Sequence, residues 1–360
     1  MKKFVKRLTA VIVALCICSI SPFVVFAEET EMTDMISSEY DLIEYDYITK
    51  TERVISFDEI FDYSAVTSNT YELSGMSSYL QSSALLNEKQ ENSTFSIVDP
   101  TVNFERTSPI DSDGNPVSPY SGIVYLMMGY DVTGDGVADW ATESRGSGFM
   151  VAPDVMVTAA HCIVGDSLKI DSTTGEVIDR YPMVEMRVFP FRHGYLNPSQ
   201  VYDTDYIFPA KWSYVPAFKE HWNANETNEA FKYDWCVVKL QESIPGAYCF
   251  SCTYEAPTVN ASVLASGYPN CDRLSCGNDV CRHDFGYQCT TTGNILSVTE
   301  RIVYFSNNIR AGDSGGALYY PTTYVCCGIL THGERNGAHN GGTRITPTIY
   351  NAICEYIQLD

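Results

Sequence analysis

Gly312-Asp313-Ser314-Gly315-Gly316, together with Thr158-Ala159-Ala160-His161-Cys162 upstream, is the part of this 360-residue chain from which the rest can be read. A serine hydroxyl becomes a competent nucleophile only when a neighbouring base takes its proton as it attacks. His161, at the end of the apolar run Val155–Thr158, is the candidate base. The small residues around Ser314 let the backbone bend so that the N–H groups of Gly312 and Ser314 converge on one point, where they would stabilise an oxyanion. Such chemistry needs a third group, a carboxylate that fixes the imidazole tautomer. Tyr233-Asp234-Trp235-Cys236-Val237-Val238-Lys239-Leu240 supplies it in Asp234, at the mouth of an apolar, β-prone run.

The chain order His, Asp, Ser differs from that of α/β-hydrolases and subtilisin-type enzymes. At these residues, and at Gly328-Ile329-Leu330-Thr331-His332-Gly333 and Asn340-Gly341-Gly342-Thr343-Arg344-Ile345, the chain resembles the trypsin-like (chymotrypsin-fold) serine proteases. The likeness is greatest to their secreted bacterial branch, which includes the glutamyl endopeptidases. It covers residues 107–360. It implies an all-β fold of two six-stranded antiparallel β-barrels with the active site in the cleft between them, and a C-terminal helix packed on the second barrel. It implies protein or peptide substrates and no cofactor, with Ser314 as nucleophile, His161 as base, Asp234 as its orienting group and Gly312 and Ser314 as the oxyanion hole. Two other readings stay open: a narrowly specific processing protease or toxin, and a catalytically silent secreted binding module with the protease fold.

The resemblance also assigns the substrate pocket, here Asn308, Ile309, Leu330, Thr331, His332 and Gly333. Asn308, six positions before Ser314, carries no charge, which disfavours Lys or Arg before the cut. Glutamyl endopeptidases have Thr or Ser five positions before the serine and a histidine early in the Gly-Ile-x-Thr strand, where this chain has Ile309 and Leu330. A substrate carboxylate buried between two aliphatic side chains is costly unless a cation compensates. Arg310 and His332 are the candidate cations. The expected preference is therefore for uncharged, apolar residues, with Glu or Asp as the alternative.

Residues 1–27 carry Lys2, Lys3, Lys6 and Arg7, an apolar stretch and Val25-Phe26-Ala27, the pattern of a secretory signal peptide. The apolar stretch is short for a membrane span, so the expectation is a secreted, extracellular protein with no membrane anchor after signal removal. Residues 28–106 hold 17 Asp and Glu against four Lys and Arg, and one glycine, Gly75. They read as an acidic propeptide, an inhibitor or folding aid of a zymogen, cut at Arg106-Thr107; a small separate domain is the alternative. Thr107-Ser108-Pro109-Ile110 is unlike the apolar N-terminus that pairs with the aspartate before the serine in trypsin-type enzymes, which leaves Asp313 to order its own turn. The net charge of −22 argues against nucleic-acid binding.

Eleven of the thirteen cysteines lie beyond the signal segment, and in a secreted chain the default is disulfides. Structural bonding is expected of Cys249 with Cys252, and disulfides rather than zinc for Cys271, Cys276, Cys281 and Cys289. Cys162 has no evident partner, because Glu143-Ser144-Arg145-Gly146 lacks the cysteine that relatives often place there. Asp131, Thr133, Asp135 and Asp139 imitate the start of a calcium loop, and a plain hairpin turned by Asp135-Gly136 accounts for the same residues. Short β-prone runs recur from Gly122 to Leu330, including Val155–Thr158, Met183–Phe189 and Ile302–Phe305, without amphipathic helices between them. Ile349, Ile353 and Ile357 mark one face of a helix over 346–357. The aromatic stretch 181–231 lacks clear alternation and reads as surface insertions near the cleft.

Overall fold

The structure, a computed structural model, describes residues 41–56, 105–164, 167–170, 177–181, 183–193, 206–224, 226–270, 286–333 and 340–358. The signal segment, most of the acidic segment, and Cys271, Cys276 and Cys281 lie outside them. In chain order the first strands are β1 (Leu42–Asp46), β2 (Thr51–Ile55), β3 (Glu105–Thr107), β4 (Ile123–Tyr130), β5 (Asp139–Ala152), β6 (Val155–Thr158), β7 (Ser167–Ile170), β8 (Val177–Tyr181), β9 (Met183–Phe189), β10 (Pro209–Tyr214) and β11 (Cys236–Leu240). Then come β12 (Ser262–Gly267), β13 (Gln288–Val298), β14 (Ile302–Phe305), β15 (Ala317–Tyr319), β16 (Cys326–Gly333) and β17 (Asn340–Arg344). Helices are few: α1 (Pro216–Asn223), α2 (Thr227–Ala230) and α3 (Pro347–Gln358).

Every residue of β4 and of β6 is buried. This is why both read as continuous apolar runs rather than alternating ones: their two faces are covered. The first sheet runs β2-β1-β10-β11-β6-β5-β4-β9. Val188 and Ile207 exchange both backbone hydrogen bonds (3.0 and 2.9 Å), which bring β9 back to the chain entering β10. Six strands, β4, β5, β6, β9, β10 and β11, thus close on themselves. The second sheet runs β12-β15-β16-β17-β14-β13 and closes through β12 with β13. These are the two six-stranded barrels that the resemblance implied. Helix α3 buries Ile349, Ala352, Ile353 and Tyr356 and packs against β6 and β11. It therefore lies on the first barrel, not the second as expected.

Two stretches are more ordered than their sequence suggested. The 181–231 region contains barrel strand β10, whose Trp212, Ser213 and Tyr214 are buried, and helices α1 and α2. Within the acidic segment, Asp41–Ser56 forms the β1–β2 hairpin paired onto β10, and β3, which contains Arg106 and Thr107, pairs with β13.

Candidate active site

His161 sits in a single 3-10 turn, Ala160–Cys162, directly after β6, and Asp234 lies just before β11. Those two strands are neighbours, with Cys236 opposite Thr158, so the sheet register brings the two side chains together. Asp234 is fully buried. Its Oδ1 accepts the His161 backbone N–H (2.8 Å) and its Oδ2 lies 2.6 Å from His161 Nδ1. Both carboxylate oxygens are therefore committed to one residue, which fixes the imidazole orientation. Burial works against charging that ring, but the adjacent Asp234 carboxylate outweighs it and holds the His161 pKa well above its ordinary 6.5.

Ser314 comes from the second barrel, and its turn is fastened to the first. The Ser147 N–H donates to the Ser314 carbonyl (2.8 Å) and the Ser147 hydroxyl to the Gly312 carbonyl (2.7 Å). The Cys162 thiol, one residue from His161, lies 3.7 Å from the same Ser314 carbonyl. Glycine is required at two positions. Gly312 and Gly315 have φ of +98° and +85°, a region costly for other residues. A Cβ on Gly315 would lie 2.1 Å from the Ser147 carbonyl oxygen, inside the backbone of the first barrel. Asp313 is buried, and its Oδ2 accepts the Arg310 N–H (2.8 Å), so it orders its own turn as expected. Burial outweighs that bond and raises its pKa from 3.8 to about 7.

The pocket residues separate into two groups. Leu330 is fully buried in the second-barrel core with Val263, Phe305 and Leu318, and Ile309 packs against that cluster half-buried. Thr331 is buried, and its Oγ1 lies 3.0 Å from His332 Nδ1. The half-buried Asn308 accepts the Thr291 hydroxyl on its carbonyl (2.9 Å). His332 and Gly333 line a cleft of about 890 Å³ together with Phe231, Tyr233, Ile302 and Tyr304. Phe231 stacks flat on His332, with centroids 4.1 Å apart and planes within 7°.

Residues missed in the sequence come from the 181–231 stretch. Trp222 of α1 lies parallel to the His161 ring, with centroids 6.1 Å apart and an interplanar angle of 10°. Only the aromatic composition of that stretch hinted at such a role. His221 pairs with Glu226 (2.6 Å) and His193 lies 3.3 Å from the Ser108 hydroxyl, both apart from the triad.

The Asp131 loop is built as a hairpin turn. The Asp131 carboxylate accepts the N–H groups of Gly134, Asp135 and Gly136, and Asp135 accepts that of Val137. The Cys249–Cys252 bond is not formed. The Cys249 sulfur turns to the Ala247 carbonyl (3.8 Å), whereas Cys252 faces Cys326 across a parallel bridge. Cys162 and Cys236 are buried thiols. At Gly146 an added Cβ would sit 2.9 Å from the Cys162 sulfur, so the segment before the histidine offers Cys162 a glycine and no cysteine partner.

The family model for trypsin matches residues 137–359. The chain is 24% identical over 241 residues to an extracellular metalloprotease of Bacillus subtilis, covering 65% of this chain and 63% of that protein. It is 26% identical over 223 residues to a glutamyl endopeptidase of Bacillus licheniformis, covering 58% of each. It thus spans less than two thirds of the length of these curated relatives. Among solved structures, a Glu endopeptidase in complex with MPD aligns at a TM-score of 0.48 and 19% identity, over 73% of this chain and 100% of that one. The active form of an M. tuberculosis protease aligns at 0.42 and 15%, over 76% and 95%. Because the family match runs from just before β5 to the end of α3, through both barrels, this chain belongs to the trypsin family.

Proposed function

We propose that the protein is a secreted serine endopeptidase that hydrolyses peptide bonds through an acyl-enzyme on Ser314. The observation that carries this reading is the fully buried Asp234, both of whose oxygens hold His161 beside the Ser314 turn. In the acylation step His161 takes the hydroxyl proton as Ser314 Oγ attacks the scissile carbonyl, and then gives it to the leaving amine. Asp234 stabilises the imidazolium, and the N–H groups of Gly312 and Ser314 hold the oxyanion. Water then repeats the sequence on the ester. Each proton is carried by His161, and no metal takes part in these steps.

Residues 1–27 act as the export signal and the acidic segment as a leader cut from the protease domain on activation. Arg106 and Thr107 lie inside paired strand β3, so a cut between them requires that strand to leave β13 first. Export into an oxidising medium would favour disulfides. Cys252 and Cys326, opposite each other across a parallel bridge, are one candidate pair among the described cysteines. The half-buried, aliphatic Ile309 favours uncharged residues before the cut.

The test is Ser314→Ala, expected to lower turnover on the order of 10⁶-fold with an unchanged thermal midpoint, alongside fluorophosphonate labelling of the wild type at Ser314. Wild-type activity in the variant would refute the assignment. Peptide-library profiling reads the specificity, and cuts confined to the carboxyl side of Glu would overturn the argument from Ile309.

A further inference from the structure

The Asp41–Ser56 hairpin lies in a segment expected to be discarded, yet it is built into the first barrel. Strand β1 pairs with β10 in antiparallel register, Ile43 with Tyr214, Glu44 with Ser213, Tyr45 with Trp212 and Asp46 with Lys211. On the face that meets α3, Leu42 and Glu44 are buried. On the opposite face, Tyr45 stacks on Trp212 with centroids 4.5 Å apart, and Tyr47 on Phe208 at 6.1 Å.

Glu44 is the anchor. Its carboxylate meets Lys211 Nζ at 3.0 Å and Arg53 Nε at 2.8 Å, and it accepts the Tyr356 hydroxyl of α3 at 3.4 Å. A buried carboxylate is tolerated only with such partners, and they come from β10, from the hairpin itself and from the C-terminal helix. The hairpin also shapes itself locally. Asp46 accepts the N–H groups of Ile48 and Thr49 (2.9 and 2.8 Å), and Lys50 takes a left-handed φ of 57° with its ammonium 3.5 Å from the Tyr47 ring centroid. Beyond itself, the hairpin makes these contacts with β10, Phe208 and α3, not with His161, Asp234 or Ser314.

We propose that residues 41–56 are the folding strand of the leader: a hairpin that completes the β10 edge of the first barrel, stays bound there after the leader is cut, and leaves the active-site cleft open. Main-chain pairing on a sheet edge supplies affinity, and the Leu42, Glu44 and Tyr45 positions supply register and specificity. Without the hairpin, Trp212 and Phe208 lose their aromatic cover and Tyr356 loses its carboxylate acceptor, which would leave that edge prone to aggregation. The hairpin itself therefore acts by assisting folding, not by blocking Ser314. This rests on the leader being cut, as proposed above.

The experiment uses the full chain carrying Ser314→Ala, with the recognition sequence of a site-specific protease inserted between residues 57 and 104. After cutting, the N-terminal fragment is expected to co-elute with the barrels on gel filtration, and Glu44→Gln to raise its Kd about tenfold or more. If Glu44→Gln does not fold, Tyr45→Ala gives the same readout from the opposite face. A second preparation keeps Ser314 and is cut in the same way; its fluorophosphonate labelling is expected to proceed at one rate whether or not excess fragment is added. Departure of the fragment from barrels that stay folded and monomeric would overturn the proposal, as would labelling that slows as fragment is added. Retention is read in a protein that needs no activity, so a failure of the protease assignment appears separately, as absent labelling throughout. N-terminal sequencing of the secreted wild type tests the leader reading by itself.

Discussion

Replacing Asp313 by Asn should remove the part of the stability loss between pH 5 and pH 8 that this one buried carboxyl carries. Asp313 is buried one residue before Ser314, with an accepted hydrogen bond from the Arg310 N–H. Burial raises its pKa from 3.8 to about 7, against that bond and the Arg310 charge. The folded state thus holds a proton that the unfolded chain has released. Between those two values stability falls as pH rises, and below both the group contributes no penalty. At 1.36 kcal/mol per pKa unit the full cost of ionising it is about 4 kcal/mol, of which about 2.5 kcal/mol develops between pH 5 and pH 8. Asparagine keeps an acceptor for Arg310 and cannot ionise. Urea unfolding of Ser314→Ala and Ser314→Ala/Asp313→Asn at the two pH values isolates the effect, because every other titrating group is common to both. Parallel pH dependences would refute the reasoning. Repeating the measurement on processed protein also tests activation: a slope that vanishes only after processing would mean that a new α-amino group has reached Asp313.

Two further outcomes follow from the same site. Because the raised pKa of His161 keeps it protonated and unable to act as a base at lower pH, kcat/KM should rise with pH along an acid limb above 6.5; a limb at or below 6.5 on a peptide substrate would contradict the Asp234 geometry. Gly315→Ala should cost about 1–2 kcal/mol for the left-handed backbone and about 1–3 kcal/mol for the overlap with the Ser147 carbonyl, seen as a lower thermal midpoint and lost activity. An unchanged midpoint would show that the serine turn is not seated as described.

The sequence by itself determined most barrel strands and marked His161, Asp234 and Ser314 as candidates. Val155–Thr158, Met183–Phe189 and Ile302–Phe305 emerged with the bounds read from the sequence; Val155–Thr158 is buried throughout, and a strand covered on both faces must be apolar whatever surrounds it. The GDSGG turn was legible for a related reason: its left-handed positions admit little but glycine. What needed the tertiary structure were elements whose stability is borrowed. The Thr-rich strand β13 satisfies Thr290 and Thr291 through the Ser266 hydroxyl and the Asn308 carbonyl, partners distant in the chain. The hairpin at Asp41–Ser56 looked like acidic leader because Glu44 becomes tolerable in a sheet only beside Lys211, Arg53 and Tyr356. Trp222 gained its place beside His161, and Phe231 its place against His332, only through the tertiary contacts of α1 and the turn before Asp234. Local pattern reports what a residue can bury, whereas the partner it meets is set by a register fixed hundreds of residues away.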